Sequence, residues 1–563
     1  MIYSRKRFLI FVVLLPLLYL LILLRLVQIQ FFDRTLYQQK AKELHERRYS
    51  SFPKRGEIVD RNGFPLAFDI PRYSIFYFRK GDKVPNKELM KIASLLNIDV
   101  EKFFQTLQKR KFVYLVRGVD ENAVELVKKF RIKGLGWEEM YIRYYPQREL
   151  FASVLGFVGR ERKGLRGLEY YYEQYLKGEK GIAHAMRDGK GRLLPSSKYF
   201  IKPPRPGYKL VLTLDQRIQY ILMEELTKTH RFYHAKRSVG LMLNPQTGEI
   251  LAMVSLPTFD PLRFWEYKPS LYKNLAIEFV YEPGSTFKVI TMAAALEEKV
   301  VRPEEKIFCE WGAFSLYGHV IHDHEKFGWL TVGDALVYSS NIGLTKIGMR
   351  VGEKRLYSYI RRFGFGTPTG IDLPGEEKGI LRPVAQWSKI SIGAIPYGQE
   401  IGVTPLQLAV AVSAAINGGK LLKPFVVKRI EDERGRIVLE RKPQVVRRVI
   451  SPRTSSLIRE MMVQVVERGT GVRAKIKGYR VGGKTGTAQK YVPGKGYNSG
   501  KYVASFIGFL PAQKPKFLLL IVVDEPQGGH YGGEIAAPCF RRVMERVLCY
   551  WEPIPKNIEL AKK

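Results

Sequence analysis

Ser285 and Lys288, in the stretch Tyr281-Glu282-Pro283-Gly284-Ser285-Thr286-Phe287-Lys288, are a hydroxyl and an amine at the spacing of one helical turn. Pro283-Gly284 breaks the chain, and the apolar residues that follow, through Leu296, predict a buried helix with Ser285 in its first turn. Unpaired backbone N–H groups and the positive end of a helix dipole favour negative charge there, which suits a hydroxyl about to become an alkoxide. Lys288 lies one turn later on the same face, within reach of the Ser285 oxygen, so the pair reads as a nucleophile with its base. Two further clusters follow at wide spacing. Ser339-Ser340-Asn341 closes a short apolar segment, and Lys484-Thr485-Gly486-Thr487 lies inside a strand-like run from Gly478 to Lys490. Ser-x-x-Lys alone is a common spacing; three short motifs in this order are far more specific.

Together the three motifs resemble those of penicillin-binding proteins and class A β-lactamases. The chemistry this resemblance implies is acyl transfer, which needs a nucleophile, a proton shuttle, an oxyanion hole and a carboxylate anchor. Ser285 would attack the penultimate D-alanine carbonyl of a peptidoglycan stem peptide. Lys288 is the implied base, and burial together with the nearby cation Lys484 would lower its pKa as that role requires. Ser339 would relay the proton to the leaving amine, Asn341 would hold Lys288 and the substrate amide, and Lys484 would supply positive charge. Gly486 would leave room for substrate along the strand edge, as an added strand. The resemblance assigns the oxyanion hole to the backbone N–H groups of Ser285 and Thr487, while either Thr485 or Thr487 would reach the substrate carboxylate. This chemistry calls for no cofactor and no metal.

Positioning these residues takes a sheet and a helical middle. Ser238 to Asn244, the turn Pro245-Gln246-Thr247-Gly248 and Glu249 to Leu256 predict a hairpin, with further strands over Tyr479 to Lys490, Tyr502 to Leu510 and Phe517 to Asp524. The helix Ile535 to Trp551 is expected to pack against them. Other helices are expected from Ser285 to about Phe363 and from Pro405 to Asn417, with Thr404 as N-cap. Tyr397 to Gln407 resembles the family's loop-to-helix element behind the active site. Strands from both ends of a domain enclosing a helical middle make an α+β arrangement, an antiparallel sheet flanked by helices, and the resemblance implies the penicillin-recognising fold.

Phe8 to Leu24 is uncharged and mostly aliphatic, interrupted only by Pro16 and preceded by Arg5, Lys6 and Arg7; the apolar pattern resumes after Arg25 as far as Phe32. No small-x-small cleavage site follows, so the reading is an uncleaved single-pass anchor over 8–32. A cytoplasmic tail over 1–7 and a catalytic domain outside the plasma membrane go with it. Leu36 to Arg48 carries a charged helical pattern, and Ser51 to Asp69 alternates like a strand, with Asn62-Gly63 as a tight turn. From Asn86 to Gly136 helical patterns alternate with short strands. Arg55 to Gly63, Arg143 to Pro146, Gly156 to Gly159 and Gly164 to Glu169 resemble the non-catalytic motifs of class B penicillin-binding proteins. That resemblance implies an elongated α+β pedestal over 33–207, a transpeptidase domain over 208–552 and a tail over 553–563. Lys202 to Gly207 is Pro-rich and reads as a linker, and Arg55, Asp60 and Glu169 read as structural.

The formal charge of +39, from 93 Lys and Arg against 54 Asp and Glu, points to an anionic partner such as a membrane surface or wall polymer. Its even spread, without a nucleic-acid-binding signature, argues against nucleic acid. Cys309, Cys539 and Cys549 make no disulfide framework and read as small buried residues. His319, His322 and His324 with Asp323 and Glu325 fit no standard zinc spacing and read as a polar hairpin near the cleft. A class A β-lactamase deacylates with a Glu and an Asn four residues later; between Asn341 and Lys484 the only Asn is Asn417, and Ser413 stands where the Glu would be. The acyl-enzyme is therefore expected to wait for an amine, as in a transpeptidase that β-lactam antibiotics inhibit. A β-lactam-sensing receptor or a β-lactamase is the alternative of another class. Nothing before Ser285 resembles a transglycosylase domain, so polymerisation of lipid II-derived strands is expected of a multi-span glycosyltransferase bound through the anchor and pedestal. The compact pedestal resembles the division-specific septal enzyme, with its divisome partners, more than the elongation type.

Overall fold

The computed structural model describes residues 2–78, 86–96, 98–99, 101, 105, 112–132, 134–186, 199–491, 494, 496–497 and 500–551. Met1 and the tail expected over 553–563 lie outside the described residues. The chain forms two compact units, Met1–Lys54 with Gly178–Gly207 and Arg55–Lys177 with Tyr208–Lys563.

In the first unit the helix Ile2–Val27 continues through a π-helical turn, Gln28–Phe32. The 23 residues from Ile10 to Phe32 include an 18-residue window of mean hydropathy 2.8, long and apolar enough to cross a membrane. Arg25 Nη1 donates to Gln28 Oε1 at 2.8 Å, so the one charge near the end of this run has a polar partner one turn away. The helix Arg34–His45 follows. An antiparallel sheet then joins Glu46–Ser51, Gly181–Met186 and Tyr199–Lys202 in that order.

Two sheets organise the second unit. The larger has seven strands, in the order Ile437–Glu440, Val427–Glu431, Lys209–Leu212, Ile58–Val59, Pro65–Phe78 and Phe112–Val119, with Leu135–Tyr144 also paired to Pro65–Phe78. Ile58–Val59 runs parallel to Lys209–Leu212, and this pairing ties residues 55–177 to the chain that follows the linker. The stretch expected as one pedestal is thus divided between the two units. The turn at Asn62-Gly63 is held by Asp60, whose Oδ1 accepts from Asn62 N at 2.8 Å and Phe64 N at 2.9 Å, while Oδ2 accepts from Gln216 N at 3.1 Å.

The second sheet is antiparallel. Its strands are β1 (Arg237–Leu243), β2 (Ile250–Leu256), β3 (Gly482–Gln489), β4 (Tyr502–Leu510) and β5 (Phe517–Asp524), in the spatial order β2-β1-β5-β4-β3. The helices that matter to it are α1 (Gln216–Phe232), α2 (Lys288–Glu297), α3 (Asn341–Val351), α4 (Pro405–Ile416), α5 (Pro452–Arg468) and α6 (Gly532–Trp551). Alternate side chains go to opposite faces. Leu241, Leu518, Leu520 and Val522 meet Val289, Leu406 and Met462 in one core. Met242, Leu519, Ile521 and Phe506 meet Leu222, Phe540 and Val543 in the other. Each such aliphatic side chain contributes about 1.5–3 kcal/mol relative to staying in water. Both faces are therefore dry, which is why β5 reads as an unbroken apolar run. α2 is the central helix, with every residue from Lys288 to Leu296 buried.

Candidate active site

Ser285 lies in a 3-10 turn, Gly284–Phe287, that runs directly into α2. This is tighter than the α-helical first turn predicted, because the chain must bend onto the sheet at Gly284, whose φ is +55°. Gly284 N donates to Gly398 O at 3.1 Å, and a side chain on Gly398 would sit 2.1 Å from Gly284 O. The loop around Gly398 thus backs the nucleophile's turn. It leads into α4 through a capping box in which Gln407 N donates to Thr404 Oγ1 at 3.1 Å and Thr404 N to Gln407 Oε1 at 3.0 Å. The front of the turn abuts β3. An added Cβ on Gly284 would lie 3.1 Å from Thr487 O, and one on Gly486 would lie 2.9 Å from Thr286 Cγ2 and 2.3 Å from Ser505 Oγ. Gly486 lets the turn that carries Ser285 approach the strand.

Lys288 and Lys484 are both 0 % exposed. Lys288 Nζ donates to Ser339 Oγ at 3.1 Å, to Asn341 Oδ1 at 2.8 Å and to Ser339 O. Lys484 Nζ donates to the same Ser339 Oγ at 2.9 Å and to Thr485 O at 3.2 Å. One hydroxyl therefore stands between two amines brought from distant parts of the chain. Ser339 sits at φ +63°, a left-handed backbone that costs of order 1 kcal/mol in a residue with a side chain. The hydrogen bonds of Lys288 go to Ser339 and Asn341 rather than to Ser285 Oγ.

Burial pushes Lys288 down to about 7, against the opposing pull of the Asp323 carboxylate. Burial, then the charge of Lys288, push Lys484 well below the ordinary lysine value. Repulsion between two amines on one hydroxyl is mutual, so the pair sheds a proton near neutral pH.

The second motif is held by a residue that sequence reading left in a polar hairpin. Ala313–Leu316 and His319–His322 do pair as that hairpin, and Asp323 follows them. Ser340 caps α3, its Oγ accepting from Gly343 N at 2.8 Å. Asp323 accepts from Ser340 Oγ at 2.6 Å, from Ile342 N at 3.1 Å and from Asn341 N, so its carboxylate closes the same helix end. The sequence shows Ser339-Ser340-Asn341 only as the close of an apolar segment, and nothing there says which distant acid completes the helix end. Asn341 Nδ2 donates to His322 O at 2.8 Å; the amide expected to hold substrate is engaged, while its oxygen holds Lys288.

The two threonines of the third motif differ in their surroundings. Thr485 is buried with its Oγ1 2.7 Å from Thr470 Oγ1. Thr487 is half-buried and its Oγ1 accepts from Gly532 N, the first residue of α6, at 3.1 Å, which leaves its own proton to donate. β3 is the outermost strand of the sheet, so one edge of it has no neighbouring strand among the described residues. Asn417 is tied up elsewhere: its Nδ2 donates to Pro245 O at 2.9 Å and Lys420 O at 2.8 Å at the end of α4. A half-buried serine in a turn that leads into buried Lys288 and abuts the outermost strand is equipped for nucleophilic acyl transfer.

The family model for the penicillin-binding protein transpeptidase domain matches residues 239–545, and that for the penicillin-binding protein dimerisation domain matches 50–212. Stage V sporulation protein D of Bacillus subtilis is 37% identical, over 99% of this chain and 88% of its own length. Peptidoglycan D,D-transpeptidase FtsI of Escherichia coli is 31% identical, over 88% of this chain and 83% of its own. Among solved structures, penicillin-binding protein 3 of Mycobacterium tuberculosis, complexed with aztreonam, matches with a TM-score of 0.71 at 28% identity, covering 90% of this chain and 98% of that one. Identity of this extent along nearly the whole length goes beyond a shared fold: the chain belongs to the class B penicillin-binding proteins, a family of serine transpeptidases.

Proposed function

We propose that this protein is a peptidoglycan D,D-transpeptidase that cross-links stem peptides through an acyl-enzyme on Ser285. The observation that carries the reading is Ser339 Oγ held between the buried amines of Lys288 and Lys484, beside the turn that presents Ser285. Lys288, neutral above about 7, takes the proton of Ser285 Oγ as that oxygen attacks the penultimate D-alanine carbonyl. The backbone N–H groups of Ser285 and Thr487 receive the developing oxyanion. The C–N bond to the terminal D-alanine then breaks, and a proton relayed through Ser339 Oγ leaves with the amine. In the second half an acceptor amine attacks the ester, the new peptide bond forms and Ser285 recovers its proton. Burial and the charge of Lys288 disfavour the charged form of Lys484, and an arriving substrate carboxylate, bonded by Thr485 or Thr487, favours it.

The engaged Asn417 and the Ser at 413 supply no deacylating water, which supports a transpeptidase and β-lactam target over a β-lactamase. The apolar run Ile10–Phe32 supports a single-pass anchor in the plasma membrane, N-terminus inside and catalytic domain outside. We keep the division of labour as a pedestal over 33–207 and a transpeptidase domain over 208–552. The compact pedestal supports a septal role beside a multi-span glycosyltransferase and other divisome proteins. Mass spectrometry of the full-length protein after benzylpenicillin tests the chemistry: one adduct on Ser285 is expected, and no adduct or one elsewhere refutes it. Depletion in cells tests the role, filaments supporting division and round cells opposing it.

A further inference from the structure

The small lobe that carries Asp323 also holds a group of aromatic rings that the catalytic chemistry does not use. Trp311 and Trp329 are each 66 % exposed. Phe308 stands between them, its ring centroid 6.2 Å from Trp311 and 5.2 Å from Trp329, and it pairs directly opposite Trp329 across two antiparallel strands. The position of Trp311 is fixed by the backbone: Glu310 and Trp311 have φ of +50° and +52°, and the indole rests on Gly328, where an added Cβ would meet it at 3.0 Å. Each left-handed residue costs of order 1 kcal/mol, and an indole left in water returns little of that to folding. Glu310 and Lys346, 2.5 Å apart, rim the rings with polar groups, and Lys346 Nζ lies 5.8 Å from the centroid of Phe308.

The rings are close to the reaction centre. Cys309, next to Phe308, has its Sγ 3.4 Å from Ser340 Oγ, and Ser340 adjoins the serine that bridges the two lysines. An extended stem peptide of five residues reaches at most about 17 Å, so the glycan strand that bears it lies within that distance of Ser285 whenever the peptide occupies the cleft. Pyranose rings of such a strand offer an apolar C–H face edged by hydroxyl and acetamido groups. A small group of exposed rings with a polar rim suits that pattern, whereas a protein partner calls for a larger apolar patch.

Resting on the transpeptidase reading, we propose that Trp311, Phe308 and Trp329 form a platform for the neutral N-acetylated glycan strand of peptidoglycan. Pyranose faces stack on the two indoles and hold the strand while its stem peptide reacts. The test uses full-length protein in detergent, wild type and the pair Trp311→Ala/Trp329→Ala. Both are titrated with peptide-free glycan strands released by an amidase, and benzylpenicillin acylation is followed in parallel. Acylation at the wild-type rate with strand affinity weakened about tenfold or more is expected of the alanine pair. Trp311→Phe/Trp329→Phe, which keeps aromatic faces, is expected to recover most of the affinity. Equal strand binding by wild type and alanine pair overturns the platform and leaves the transpeptidase reading standing. So does capture of a protein partner that the alanine pair loses while strand affinity is unchanged, which reassigns the surface to protein docking. Absence of acylation in the wild type removes the transpeptidase reading, and the platform with it.

Discussion

Two clusters of buried charge lie in the second unit, and they are built on opposite principles. In one, Arg55 and Arg143 each donate an Nε–H to a separate oxygen of Glu169 at 2.6 Å; Arg55 also pairs with Glu173 at 2.7 Å, while Asp69 takes Arg143 and Arg162. In the other, Lys288 and Lys484 share only a neutral hydroxyl. Burial opposes charge in both. In the arginine cluster it would raise Glu169, but Arg143 and Arg55 overcome it and hold that carboxyl below its ordinary value; likewise Glu169 and Glu173 keep Arg55 charged. In the lysine pair no counter-charge of that strength is present, and burial prevails. Opposite charges locked together in a dry interior fix shape, whereas like charges there surrender a proton, which is the raw material of catalysis.

The sharpest way to break this comparison is Lys288→Met, which keeps the volume and removes the amine. Acylation by a fluorescent penicillin is expected to slow by roughly a thousandfold or more, with the melting temperature unchanged or higher. The mirror experiment is Glu169→Ala. Two buried guanidiniums then lose their partner, at a cost of about 3–5 kcal/mol in chemical denaturation, while acylation per folded molecule stays at the wild-type rate. If Glu169→Ala slowed acylation without lowering stability, the two clusters would not be distinct in kind.

Titration sharpens the contrast. The acylation rate is expected to rise as pH passes through about 7, the apparent value belonging to the lysine pair as a whole. The stability effects have opposite windows. Lys288 has a folded pKa below its unfolded value of about 10.4, so the unfolded chain binds the extra proton and stability gains as pH climbs from about 7 towards 10. Glu169 also titrates lower when folded; its contribution is full above the unfolded value of about 4.3 and is lost as pH falls through the folded one. Denaturation measured against pH should lose the alkaline gain in Lys288→Met and the acid-side loss in Glu169→Gln. The smallest effect expected is for Asp323→Asn. Removing the carboxylate that favours charged Lys288 moves the midpoint of the rate profile downward, and an unmoved midpoint would mean that Asp323 acts only through the helix end.

Much of the scaffold was legible because periodicity reports burial. The strands expected over Tyr502 to Leu510 and Phe517 to Asp524 have those bounds in the structure. β3 begins at Gly482 rather than Tyr479, since Tyr479 N closes a turn onto Ile476 O at 3.2 Å. α6 begins at Gly532 rather than Ile535: an added Cβ on Gly532 would lie 2.2 Å from Ser505 O, so packing imposes a residue that propensity disfavours in a helix. The three motifs were legible as candidate chemistry, and the structure brings four of their residues together: Lys288 and Lys484 both bond Ser339 Oγ, and Lys288 also bonds Asn341 Oδ1. Contacts between segments far apart in the chain were not legible. Asp323 on the cap of α3, Gly398 behind Gly284 and the engaged amide of Asn341 each depend on a neighbour that spacing does not name.

The pairing of Ile58–Val59 with Lys209–Leu212 bears on how such a molecule can be taken apart. The proline-rich bend just before residue 208 is the obvious place for scissors, yet a fragment beginning there would carry a naked strand margin and lose the bond from Gln216 N to Asp60 at the start of α1. Exchanging heads between relatives at that bend would tear one fabric in two. Residues 55–177 and the catalytic sheet's chain have to be transplanted as a single piece.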